Sequence, residues 1–179
     1  MGAQAVMSTG KPQAISGVSA GVETVVMNVW PSVCATGPGR LCGRSYDSIP
    51  YKINGIKLSY LLFTLPTIPI ALVLYFWLKL FGERYTLTNQ AVERWSSLGT
   101  RRVARVPLED VGTVAIVQHP GQAFYHAADL ELRDKGGNRL MTLAGVPRAD
   151  VFRQTILKAR DARQQVAASL ATINARHGA

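Results

Sequence analysis

Residues 58–78 read LSYLLFTLPTIPIALVLYFWL, twenty-one consecutive positions without a charge, bracketed by Lys57 and Lys79. At a helical rise of about 1.5 Å per residue such a run covers roughly 30 Å, the thickness of a bilayer's hydrocarbon core and a length that soluble core helices rarely need. The stretch predicts a transmembrane helix over residues 58–80. A short N-terminal region is then expected on one side of the membrane, and about a hundred more polar residues on the other.

Working outward, Pro66 and Pro69 each remove a backbone hydrogen bond near the middle of the run. Membrane helices tolerate this when hydroxyls or water serve the freed carbonyls, and Thr64 and Thr67 are at hand. A kinked single span is the primary expectation. A re-entrant or interfacial hairpin turning at Thr64-Leu65-Pro66-Thr67 and a buried core segment are the alternatives. Tyr60 at one end, and Tyr75, Phe76 and Trp77 at the other, sit where interfacial aromatics anchor spans, or serve as ordinary packing residues. The run starts too far from Met1, and is too long, for a cleavable signal, so the anchor is expected to persist. Basic residues flank both ends (Arg40, Arg44, Lys52 and Lys57 before; Lys79, Arg84 and Arg94 after), so charge does not fix orientation.

The net charge of +9 divides into +3 over residues 1–57, zero over 58–83 and +6 over 84–179. On an anchored protein a basic excess attracts anionic headgroups, at about 1 kcal/mol per well-placed Lys or Arg. No zinc finger, RNA-binding aromatic signature or helix-turn-helix pattern accompanies it, which argues against nucleic acid. Residues 1–20 are Ala-, Gly-, Ser- and Gln-rich and read as a flexible tail. Residues 21–57 form a short N-terminal region with an apolar stretch, Val22 to Val33, and a Gly/Pro-rich one, Ala35 to Gly43. That region carries Cys34 and Cys42, eight positions apart and without a nearby His to build a zinc site; they could pair on an oxidising face of the membrane or stay as thiols in the cytoplasm, unpaired thiols being the primary expectation.

Beyond residue 83 short alternating runs separated by turn residues predict antiparallel strands. Arg84–Thr88 and Ala91–Trp95 flank Asn89-Gln90 as a hairpin, and Arg101–Val106 follows with Val103 and Val106 expected to face the core and Pro107 ending it. Val111–Gln118 stops at His119-Pro120-Gly121, and Ala128–Arg133 and Asn138–Leu143 straddle Lys135-Gly136-Gly137. After Pro147 the period turns helical through Val151, Phe152, Thr155, Ile156 and Ala159, from a start at Arg148-Ala149-Asp150 to about Ala171. The organisation expected is thus a sheet domain over 83–165 and a helix extension with C-terminal tail over 166–179.

The segment Arg84-Tyr-Thr-Leu-Thr-Asn-Gln-Ala-Val-Glu-Arg, then Val106-Pro107-Leu108-Glu109-Asp110-Val111, Asp129-Leu130-Glu131-Leu132 and Leu143-Ala144-Gly145-Val146-Pro147, resembles bacterial pleckstrin-homology-type (PH) domains. In that family a "ryxlTnxrv" strand pair directly follows one or more membrane spans, a "plxxI" segment comes next, and "GdlxL…l.gV" leads into the closing helix. Trp30-Pro31-Ser32 is similar to a short "rPs" motif ahead of the first span, so the resemblance covers about residues 30–160. The chain departs from the pattern in having one apparent span where many members have two or more. The resemblance implies a membrane-anchored α+β protein: a PH-like antiparallel sheet or partial barrel, capped by a C-terminal helix and held against the cytoplasmic face of the cell membrane; the one apolar run makes the expected protein single-pass. It supplies no catalytic residues, and fold likeness to eukaryotic lipid readers does not transfer their ligand.

Candidate sites therefore rest on their own chemistry. Arg101, Arg102 and Arg105, with Arg94 on the preceding strand, gather guanidinium groups suited to phosphate, or else form a solvated strand face. Phe124 and Tyr125, in a loop, could contact a membrane or partner or fold back over the core, where Trp95 is also placed. His119, His126 and His177 show no metal spacing, Gly136-Gly137 is a turn, and Asp129 and Glu131 read as solvent-facing strand acids, so no enzyme, metal or cofactor is expected. Two functions remain. The first is a membrane-anchored interaction or assembly module for another membrane protein, favoured by the long apolar helix past Asp161; the second is a reader of anionic lipid headgroups.

Overall fold

The computed structural model describes residues 23–49, 51–53 and 56–177, and the tail expected at residues 1–20 lies outside them. The chain begins with β1 (Val25–Val29), a 3-10 turn at Val33–Ala35 and helix α1 (Gly37–Asp47). A small strand pair, β2 (Lys52–Ile53) and β3 (Ile56–Lys57), leads into α2 (Leu58–Phe81). Then come β4 (Glu83–Thr88), β5 (Ala91–Ser96), β6 (Arg102–Pro107), β7 (Thr113–Val117), β8 (Ala127–Arg133) and β9 (Arg139–Pro147). Helix α3 (Ala149–His177) closes the described chain.

The strands form two antiparallel sheets in the orders β1-β4-β5-β6 and β7-β8-β9. Between them and α3 lies one apolar core, which includes Leu87, Val92, Val106, Leu130, Leu132, Leu143, Phe152 and Ile156. This is the antiparallel sheet closed by a helix that the alternating runs and the family resemblance led us to expect. Asn89-Gln90 makes the β4–β5 turn because the Thr88 hydroxyl accepts the amides of Gln90 and Ala91, at 3.2 and 2.9 Å. Gly137, at φ +86°, completes the β8–β9 turn, which the Asp134 carboxylate closes by accepting the Asn138 amide at 2.9 Å.

Three details differ from the expectations. Val103 is 44% exposed, because a strand alternates its faces and Val106 and Ala104 take the inner one. Trp95 lies on the outer face of its sheet, its indole N–H donating to Glu93 at 2.8 Å, rather than in the core. The largest difference is β1. It pairs with β4 from Val25↔Thr88 to Val29↔Tyr85, so the sheet takes a strand from the region expected to lie apart from it, upstream of the long apolar helix.

Helix α1 begins inside the Gly/Pro-rich stretch Ala35 to Gly43. Thr36 caps it by accepting the Gly39 amide at 3.2 Å, and Pro38 falls in the first turn, where no amide is needed. Gly43 allows α1 to lie directly on the loop at Gly121, since a Cβ there would stand 2.1 Å from the Gly121 carbonyl oxygen.

Helix α2 runs unbroken through Pro66 and Pro69, which removes the hairpin turn at Thr64–Thr67, and its apolar stretch is not buried, which removes the core reading. The Thr67 hydroxyl donates to the Phe63 carbonyl at 2.6 Å. That carbonyl is not one of those the prolines free, which belong to Leu62 and Leu65.

One side chain joins the two sheets directly. The buried Tyr85 hydroxyl donates to the Ala144 carbonyl at 3.1 Å and accepts the Ala144 amide at 3.0 Å, and burial pushes its pKa well above the usual phenol value. Tyr85→Phe leaves both backbone groups unpaired in the interior. It is expected to cost about 2 kcal/mol, seen as a melting temperature lower by roughly 4–8 °C in thermal denaturation.

Candidate functional site

The described surface carries one feature out of keeping with a water-soluble body. Over Leu62–Phe81 the helix is long and apolar enough to cross a membrane, and eleven of its large apolar side chains, from Leu62 to Phe81, are exposed. A contiguous apolar surface of that extent marks contact with lipid or protein. Among the described side chains of α2, Leu58, Ser59, Phe63, Thr67, Leu74 and Leu78 are partly or fully covered, and from Ser59 on they repeat at four- and seven-residue spacing as a stripe along one helix face.

Polar contacts fasten that stripe to the body. The Ser59 hydroxyl donates to the Tyr46 carbonyl at 2.7 Å, the Tyr46 and Thr67 hydroxyls share a hydrogen bond, and the Ser97 hydroxyl donates to the Lys79 carbonyl. Beside the last turns of α2 a groove of about 550 Å³ opens between Tyr75, Leu78, Lys79 and Glu83 on one wall and Trp30–Val33 on the other.

The arginines expected to act together are separated. Arg94 pairs in register with the buried Tyr85 and so faces inward, with its guanidinium 3.5 Å from Glu83. Arg102 and Arg105 point outward and converge on the buried Glu93, at 2.9 and 3.5 Å, and Arg105 also reaches Glu23 at 3.2 Å. Arg102 further lies over the Trp95 ring, 6.0 Å from its centroid. Arg101 is exposed and makes no ion pair among the described residues. Neither Glu93 nor Glu23 was singled out in the sequence, yet both temper the charge of this face.

Phe124 and Tyr125 turn inward toward α1 rather than outward. Phe124 stacks on Tyr46 with centroids 4.5 Å apart and planes 8° from parallel, and Tyr125 meets Phe124 edge-on at 4.9 Å. Burial and the neighbouring Cys42 and Cys34 push the Tyr125 phenol up to about 12. Cys34 is buried, which raises its pKa, keeps it as a thiol at neutral pH and makes it a poor nucleophile; both cysteines are free.

The residue that sequence reasoning misplaced most is Asp129. It is buried, and its carboxylate accepts Gln122 Nε2 at 2.6 Å, the Gly145 amide at 2.8 Å and Arg40 Nη2 at 3.0 Å, with His119 Nε2 at 3.4 Å. It sits in Ala127-Ala128-Asp129-Leu130, four successive buried positions that leave a carboxylate no route to water, and of this only the apolar character of the three neighbours shows in the sequence. Its partners make it structural: it ties α1, through Arg40, to β8 and β9. Among the described residues no group of His, Cys, Asp and Glu is arranged to hold a metal.

Asp129→Ala strands the Arg40 guanidinium and the Gly145 amide. It is expected to cost about 3 kcal/mol and to free α1, so that limited trypsin digestion cleaves after Arg40 and Arg44 well before the strands. Equal resistance of variant and parent would show that the carboxylate does not hold α1.

A comparison with curated proteins gives no match. The family model for the bacterial PH domain matches residues 44–160, which is well over half of the chain and runs from the end of α1 through the buried part of α3. The matched segment holds α2 and β4–β9, so this chain belongs to the bacterial PH domain family.

Proposed function

We propose that the chain is a membrane-attached, non-enzymatic interaction module whose PH-like body binds another membrane-associated protein through the exposed end of α3. Attachment through α2 is supported by its length and its exposed apolar side chains, which cost about 1.5–3 kcal/mol each to leave in water.

The observation that carries the partner reading is the apolar stripe of α3. Ile156 and Ala159 are buried against the sheets, and Arg163 reaches Glu109 at 3.1 Å. The same three- and four-residue spacing then continues through Val166, Leu170 and Ile173, on a helix that runs to His177. Capping two small sheets does not need this length. An apolar seam at that spacing is the surface one helix offers to another.

A second reading, contact with anionic headgroups through Arg101, Arg102 and Arg105, rests mainly on the exposed Arg101, because the other two are engaged by Glu93 and Glu23. It predicts that the full chain prefers anionic over neutral vesicles, that this preference shrinks steeply with salt, and that it is lost on changing all three arginines to Glu. For the primary reading, a photo-crosslinking residue at Leu170 is expected to give a discrete adduct with a different polypeptide of the membrane fraction, and none at Lys135 in the β8–β9 turn. Ending the chain after Arg163 should abolish the association and leave the melting temperature unchanged. No adduct at Leu170, or an adduct only with the chain itself, would contradict it.

A further inference from the structure

We infer that α2 does not cross the membrane but lies in the plane of one leaflet, with its covered stripe against the body and its exposed faces at the boundary between headgroups and acyl chains. This rests on the membrane attachment proposed above and revises the single-pass arrangement expected from the sequence.

Parity limits how often the chain can cross. Asn28 and Thr86 lie on opposite sides of α2 in the chain, 58 positions apart, yet their side chains hydrogen-bond at 2.7 Å and their strands are paired in register. Whatever the intervening segment does, it leaves from and returns to the same sheet edge. A chain that does so crosses a bilayer an even number of times. Among the described residues one helix is long and apolar enough to cross. Helix α1 has eleven residues, includes Arg40 and Arg44, and is bound to Asp129 and Gly121, so it supplies no second crossing. One crossing is odd, and zero is the even number left.

The body also touches α2 at both of its ends and at its middle. A transverse helix presents only one end to a domain on one side of the bilayer. Here the first turn receives Tyr46 and Tyr51, the middle meets Tyr46 through Thr67, and the last turns meet Ser97, so the body runs beside the helix from end to end. Exposed aromatic residues of the body, Tyr51 next to the first turn and Trp30 across the groove from Tyr75, extend the apolar surface at both ends. Tyr and Trp favour the headgroup level, and an in-plane helix puts both at that depth together.

The prolines agree. Pro66 and Pro69 offer no amides to the Leu62 and Leu65 carbonyls, on a stretch where both prolines are exposed. In the hydrocarbon of a transverse span an unsatisfied carbonyl is costly, whereas water reaches it at the interface.

The test uses the full-length chain in isolated bacterial membranes washed at high salt. Asn28→Cys with Thr86→Cys, in a Cys34→Ala and Cys42→Ala background, is oxidised and then treated with maleimide-polyethylene glycol. Membrane-bound protein with both new cysteines protected by their disulfide is the expected result. A parallel sample, otherwise native and carrying epitope tags at Met1 and Ala179, needs no cysteine change; both tags should be digested from the same face of sealed vesicles. Membrane-bound protein with the tags on opposite faces and both cysteines reactive would overturn the inference and leave attachment standing. Protein released into the soluble fraction by the wash would overturn both.

Discussion

The ladder between β1 and β4 is the constraint on which the arrangement of this molecule depends. It is a short antiparallel pairing at a sheet edge, with a bulge between Val25 and Met27, but it joins segments that the sequence separates by a long apolar helix. Because backbone pairing requires the two strands to lie about 5 Å apart, everything between Val29 and Glu83 becomes a closed excursion from one sheet edge. α1 and α2 are thus features of the domain, not a leader attached to it. The covered stripe of α2, the groove at Trp30–Val33 and the stacking of Tyr46 on Phe124 follow from that closure.

Buried polar chemistry keeps the excursion in place. Asp129 has most of its hydrogen-bonding capacity filled by Gln122, Gly145 and Arg40, and these come from a loop, from β9 and from α1. A carboxylate placed among alanines and leucine would be costly without them, so it selects one docking of α1 over others. Tyr85 acts similarly between the sheets. The close approach at Gly43 and Gly121 needs no side chain on either residue, so contact between α1 and the loop is a backbone fit made firm by the Arg40–Asp129 pair.

Much of this was legible in the sequence. The β4–β5 and β8–β9 hairpins, the change of period at Pro147 and the extent of α2 followed from turn residues and spacing, signals that are local in the chain. What was not legible depends on distant partners. Val25–Val29 has no turn beside it to mark a strand, since its partner lies beyond α2. Arg102 and Arg105, three apart on β6, both face outward because the β5–β6 register shifts between Arg94 and Trp95, while Arg94 on β5 faces inward; a count of nearby arginines ignores both effects. Asp129 was read as a solvent-facing strand acid because the alternation rule assumes one wet face, and β8 near Ala127 has none. A window of hydropathy gives the length of α2 but not its direction, and the pairing of its flanks supplies the missing information.

As a member of the bacterial PH domain family, the chain presents a non-polar helix on one side of a small sheet domain and a long C-terminal helix whose apolar seam outlasts the core. The central claim is that α2 lies along the membrane surface, and depth measurement tests it most directly. Spin labels placed singly at Leu62, Leu65, Ile68, Leu72, Phe76 and Leu80 of the full chain in bilayers would be read by their relaxation with oxygen and with a water-soluble nickel chelate. The account predicts depths that rise and fall with the 3.6-residue helical period about one shallow mean. A profile that deepens steadily to the bilayer centre near Ile68–Ile70 and becomes shallow again at both ends would contradict it.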